Sequence, residues 1–185
     1  MAADGVKPQP FDLDEPSLSL GRLGTVQLKN YVALSEAESA AVLQMRNHPR
    51  VRMHMVTQET ISQQTHAAFL DSLKTQRDTQ MHFLVCKEGV ILGVVNFRLA
   101  QANAMSAQIG MFANPDQSNP LTAFLLEQTL ICFGFEVLGL QRLEARVLAD
   151  NPTVMAMHER FGFQRQGSAD ASGLVLWVLT RQANQ

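Results

Sequence analysis

The run Gln108-Ile-Gly-Met-Phe-Ala113, Asn114-Pro-Asp-Gln-Ser-Asn119 and then the apolar stretch beginning at Pro120 decides how this chain folds. The first six residues read as a strand, the next six are turn formers, and the long apolar segment is a helix. Downstream, Leu143-Glu-Ala-Arg-Val-Leu148 forms a second strand, followed by the helical segment Asn151-Pro-Thr-Val-Met-Ala-Met-His158-Glu-Arg-Phe-Gly-Phe163. A strand, a turn that aims helix N–H groups outward, a helix and a parallel return strand make a ready site for a phosphate-bearing ligand. Upstream segments read as the wall that selects a second substrate.

Outward from that stretch, the 120–138 helix carries Phe124, Leu125, Leu126, Leu130, Ile131, Phe133 and Phe135 and is apolar on most sides. It is therefore expected to lie buried against a sheet. Met81–Lys87, a Glu88-Gly89 turn and Val90–Arg98 read as a β-hairpin, with Met105–Phe112 pairing next. Nearer the start, Thr25–Val32 alternates as a first strand, and Ser35-Glu-Ala-Glu38 has the spacing of a capping box. The helix it opens is expected to end near Asn47, because a residue preceding Pro49 is pushed out of the α region. From Ser62 a helix places His66, Phe69, Leu70 and Leu73 on one face, and Gly173–Thr180 is the last strand. Residues 1–20, with Pro8, Pro10 and Pro16, read as a loose tail ahead of one domain over 21–185.

Lys plus Arg number 15 against 17 Asp plus Glu, with no basic run, which excludes the electrostatic footprint of a nucleic-acid binder. Cys86 and Cys132 sit singly in apolar runs, as buried reduced thiols do, and no residues have metal-ligand spacing. No apolar run is judged to reach the roughly 18 residues of a membrane span. Met1–Pro8 lacks the apolar core of a signal peptide, so a cytoplasmic location is expected. The segment Met45-Arg-Asn-His-Pro-Arg-Val-Arg-Met-His-Met55 mixes cations with apolar packing groups, which suits either an anion-binding wall or a solvated helix–loop–helix.

With the elements in this order, the chain resembles the GCN5-related N-acetyltransferase (GNAT) superfamily over roughly residues 22–182, carried by Ile109–Pro115, Leu143–Asn151 and His158–Phe163. The resemblance implies an α/β fold: a central mixed, mostly antiparallel twisted sheet flanked by helices, with two splayed parallel strands. It implies acetyl-CoA as co-substrate and direct attack by a neutral amine. Within the superfamily the chain is most similar to the group that acetylates a UDP-linked amino sugar in the pseudaminic acid pathway, through Met45–Met55, Phe83–Val85, Ile91–Phe97 and Ile109–Pro115. Alternatives are a ribosomal-protein or protein N-terminal acetyltransferase and a catalytically degenerate binding module. A small-molecule acceptor and a monomer or homodimer are expected.

Carried onto this chain, the resemblance assigns the acetyl-CoA arm to Met111, Phe112, Ala113 and Asn151, and the pyrophosphate to Gln117, Ser118, Asn119, Leu121 and Thr122. Pro120 stands where the family prefers glycine, removing one donor, although Asn119 followed by Pro120 is also a well-formed helix start. His158 replaces the usual tyrosine that protonates the leaving thiolate, and Gln108 replaces a common glutamate base. Those two are the catalytic candidates, with water on Gln108 or Asn96, or His82 or His54, as the base. Arg46, Asn47, Arg50 and Arg52, with Met53 and Asn96, are the acceptor-binding candidates, since guanidinium pairs bidentately with phosphate.

Overall fold

The alternating segments become strands β1 (Ser17–Ser19), β2 (Thr25–Asn30), β3 (Gln80–Lys87), β4 (Val90–Leu99), β5 (Ser106–Ala113), β6 (Arg142–Leu148), β7 (Gln164–Gln166) and β8 (Leu174–Thr180). The computed structural model describes residues 13–117 and 119–182. Among these the strands form one sheet in the order β1-β2-β3-β4-β5-β6-β8-β7. Every neighbouring pair is antiparallel except β5 and β6, which run parallel. That pair is joined from Ser106↔Arg142 only as far as Ile109↔Ala145. Beyond this rung β5 continues to Ala113 and β6 to Leu148 with no pairing between them, so the two strands splay.

Helices cover both faces. On one side lie α1 (Glu36–Asn47), the short α2 (Pro49–Arg52) and α3 (Gln63–Thr75). The α1 start is the expected capping box, and the helix stops because His48, ahead of Pro49, is extended at ψ 135°. Val42, Met45 and Leu73 from these helices bury against Leu84 and Val94 of the sheet. On the other side α4 (Pro120–Cys132) places Leu125, Leu126 and Leu130 on Phe83, Val95, Phe97 and Ile109. Fully burying such a side chain stabilises the fold by about 1.5–3 kcal/mol relative to leaving it exposed. At its end α4 widens into a π-helical turn, Phe133–Val137, in which Leu138 N–H donates to Phe133 O at 2.9 Å. Gly134 in that turn lies so close to β6 that an added Cβ would stand 2.9 Å from Leu143. The last helix is α5 (Pro152–Arg160).

Three expectations are corrected and one strand is added. Leu18 in β1 is buried in the core, so the tail read over 1–20 becomes sheet before it ends, while residues 1–12 lie outside the described residues. β7 was not anticipated, because Gln164-Arg165-Gln166 is all exposed and shows no apolar alternation. Residues 120–137 are, by length and composition, long and apolar enough to cross a membrane; half of that span is buried in the fold, as befits a core helix. Cys86 and Cys132 are half-buried and free, not fully enclosed.

Candidate active site

The splay between β5 and β6 creates the site. Asn114 N–H donates to Leu92 O at 2.8 Å, and antiparallel ladders alternate, so Phe112 and Gly110 turn their main-chain groups toward β4. Met111 and Ala113 therefore turn theirs into the wedge. Of the three residues assigned to the cofactor arm on this strand, Phe112 is corrected: its main chain is spent on β4 and its side chain packs with Val94. By the same alternation, Ala149 N–H on Gly173 O leaves Arg146 and Leu148 facing the wedge from β6. Open strand edges at this spacing fit an extended, amide-bearing arm such as pantetheine. Asn151 stands just past β6 as the N-cap of α5, its Oδ1 accepting from Val154 N–H at 3.3 Å.

At the mouth of the wedge the β5–α4 loop is more self-satisfied than expected. Asn114 Oδ1 accepts from Asp116 N–H at 3.1 Å, and Gln117 N–H donates to Asn114 O at 3.0 Å. Asn119 caps α4 by accepting from Leu121 N–H at 2.9 Å, and Thr122 N–H donates to Asn119 O at 2.9 Å. Leu121 and Thr122 thus do not present free N–H groups, and Pro120 has none to offer. A phosphate takes this helix start only in place of the Asn119 side chain. Ser118 lies outside the described residues.

On the opposite face, period-two alternation sets Gln108, Gly110 and Phe112 toward α1 and α3. Register aligns Arg98, Gln108 and Glu144 across β4, β5 and β6, and these line an open cleft of about 210 Å³. Glu144, which accepts from Arg142 Nε at 2.7 Å, brings beside Gln108 a carboxylate that sequence reasoning missed; the parallel register alone reveals it. One row along, His82, Asn96 and Gly110 are in register. Asn96 lies over Gly110, where an added Cβ would approach its Nδ2 to 2.9 Å. His82 sits 5.4 Å from the Tyr31 ring and edge-on at 5.1 Å from Phe69, and burial, with Arg98 adding repulsion, pushes it down to about 4. His54 is exposed on its loop.

The acceptor candidates divide. Arg46 Nη2 donates to Thr57 O at 2.8 Å and Arg52 Nη1 to Gln58 O at 2.9 Å, while Arg46 Nη1 and Arg52 Nε are buried without partners. Burial, then repulsion from Arg52, lowers the affinity of Arg46 for its proton. Asn47 is corrected to a brace, because its Nδ2 donates to Ile61 O and its Oδ1 accepts from Ile61 N–H, both at 2.8 Å. Arg50 reaches away from this pair to Pro115 O, at the loop before α4. Met53, the other candidate near this segment, is 59% exposed.

His158 is 4% exposed, its Nδ1 2.8 Å from Oε1 of Glu127 and its ring 4.7 Å from Phe163 and 6.1 Å from Trp177. Glu127 is wholly buried, and its Oε2 has no partner. Sequence reasoning missed Glu127, although a lone acid after Leu125-Leu126 in an apolar helix was the available signal.

Residues 31–164 match the model of the acetyltransferase (GNAT) domain family. Acetyltransferase PseH of Campylobacter jejuni is 28% identical over 138 residues, spanning 75% of this chain and 84% of its own. The crystal structure of Campylobacter jejuni N-acetyltransferase PseH in complex with acetyl coenzyme A superposes with a TM-score of 0.68 at 21% identity, covering 85% of this chain and 99% of that one. Spermidine N-acetyltransferase from Vibrio cholerae, in complex with CoA and spermine, gives 0.69 at 15% identity over 84% and 95% of the two chains.

Proposed function

The chain belongs to the acetyltransferase (GNAT) domain family, and from that premise we propose that this acetyl-CoA-dependent N-acetyltransferase acts on the amino group of a nucleotide-linked amino sugar. The observation that carries the acceptor class is the Arg46–Arg52 pair. Two neighbouring, partly exposed guanidinium groups, each holding a main-chain carbonyl and neither facing a carboxylate among the described residues, suit an anion with several acceptor oxygens. A diphosphate supplies that, whereas a cationic polyamine or a basic peptide would be repelled. Likeness to acetyltransferase PseH supports the same reading.

The chemistry needs little from side chains. When bound, acetyl-CoA supplies an activated thioester. Met111 and Ala113 offer main-chain N–H groups in the wedge for the carbonyl oxygen, where negative charge grows as the amine nitrogen attacks. Gln108 and Asn96 can orient the amine or a water, and Glu144 is placed to receive the proton the nitrogen sheds. His82, held neutral above pH 5, keeps that face free of a further positive charge.

A panel of nucleotide-linked amino sugars and amine-bearing peptides, assayed with acetyl-CoA, tests the acceptor. Acetylated sugar is the expected product, and acetylated peptide alone would overturn the reading. In the same assay Arg46→Ala should raise KM for the sugar nucleotide about 10–100-fold, the worth of one or two charge-assisted hydrogen bonds. KM for acetyl-CoA should stay within about twofold.

A further inference from the structure

We propose that Glu127 is a positioning residue for His158, and that the two form a one-proton relay delivering a proton from His158 Nε2 to the departing thiolate sulfur. The inference rests on acetyl transfer in the wedge and not on which amine accepts the acetyl group.

Depth is the first support. Trp177, against which His158 packs, is in register with Ala145, and Ala145 with Ile109, the last rung before β5 and β6 part. His158 lies six residues into α5, about 9 Å back from its start. From Leu148 to Ala145 β6 runs back about 10 Å. His158 therefore stands level with the vertex of the wedge, the depth at which an inserted arm ends.

Energetics is the second. An acid completely enclosed beside Leu125 and Leu126, holding one partner and leaving Oε2 bare, is an expensive way to fill a core. Apolar residues of the same volume would serve stability as well or better. Such a pair belongs where its chemistry is used.

Charge decides how it works. Among the described residues, the His158 ring meets Glu127, Phe163 and Trp177, and no third charged group pairs with it. The relay starts from the electroneutral form of the pair. That form can be written with the shared proton on Nδ1 or on Glu127; in both, Nε2 carries a hydrogen. As the nitrogen–carbon bond forms and the carbon–sulfur bond breaks, the sulfur takes the Nε2 proton, leaving a neutral imidazole whose Nδ1–H donates to the Glu127 carboxylate. The proton shed by the attacking amine passes to Glu144 and from there to water, and one from water restores Nε2–H.

Glu127→Gln, which keeps the shape, tests this with any amine that the wild type acetylates, so a failed sugar panel leaves the test intact. The variant should lower kcat about 10–100-fold with KM for acetyl-CoA within about threefold. In a His158→Gln background the same substitution should cost nothing further. In the free protein, 15N NMR of the imidazole should show hydrogen on Nε2 at neutral pH in the wild type and a changed ring signal in Glu127→Gln. A kcat within twofold of wild type, a loss confined to KM, or losses that multiply in the double variant would each overturn the relay. Where Glu127→Gln does not fold, the wild-type spectrum decides, because an Nε2 bearing no hydrogen at neutral pH sinks the proposal.

Discussion

His82 is the residue whose protonation the fold resists most plainly. Its imidazole lies between the rings of Tyr31 and Phe69, and burial pushes it from an ordinary value near 6.5 to about 4. The unfolded chain then takes up a proton before the folded one as pH falls. Stability from this group is complete above 6.5 and drains away between 6.5 and 4, amounting to about 2 kcal/mol between pH 7 and pH 5. Burial lowers His66 too, with the same sign. Urea midpoints at pH 7 and pH 5 should show this loss, and in His82→Gln it should shrink by about 2 kcal/mol; equal losses in both proteins would mean other groups carry it. Single residues were also where the sequence was hardest to read. His158 stood out at its position in the helix, but its partner Glu127 lies 31 residues away, and only the packing of α4 against α5 brings them together. Arg46 and Arg50 looked equivalent, four residues apart, until the turn at Pro49 sent one toward Thr57 and the other toward Pro115.

At the level of elements, the start of α4 sets the terms for anion binding. Asn119 occupies Leu121 N–H with its own side chain, so the cap and a phosphate compete for one donor. Asn119→Gly should release that donor at a stability cost of a few tenths of a kcal/mol. It should tighten coenzyme A binding about 3–10-fold by calorimetry, and weaker binding would show that the asparagine itself contacts the ligand. Asn47 acts on a different element, tying the end of α1 to the chain at Ile61 by two bonds of 2.8 Å. Asn47→Ala should speed hydrogen exchange at Ile61 N–H at least tenfold, with little change at Leu73 in α3. Elements with strong local signals were legible: the Ser35–Glu38 capping box, the β3–β4 hairpin with Gly89 at φ 79°, and Pro120 opening α4. β1 and β7 escaped because three-residue edge strands draw their order from the neighbour they pair with and carry too few residues for a period of two.

For the whole molecule, the seam between β5 and β6 is the telling feature. Four rungs, from Ser106↔Arg142 to Ile109↔Ala145, join the β1–β5 portion of the sheet to the β6–β8 portion. A ligand that bonds both walls of the wedge adds to that seam. Coenzyme A should raise the unfolding free energy by about 2.7 kcal/mol at a hundredfold excess over Kd. The gain should be accompanied by slowed exchange at Met111, Ala113, Arg146 and Leu148; stabilisation without protection at those amides would place the ligand elsewhere. The mixed sheet was readable as a whole because one parallel return follows from the order strand, helix, strand at 106–148, whereas which main-chain groups face the wedge depends on hydrogen-bond phase, and that phase is fixed by the Asn114–Leu92 contact.

The same wedge bears on how the protein must be handled. Its two walls are strand edges with unspent donors and acceptors, and sheets usually hide such edges because they recruit strands from other chains. Here they face each other inside a notch, shielded only while the notch stays narrow. Anything that widens it, such as warming, dilute denaturant or truncation near β8, turns a ligand cradle into a template for self-association. Shelf life, yield and clouding temperature should therefore follow the cofactor content of the buffer more closely than its salt or pH.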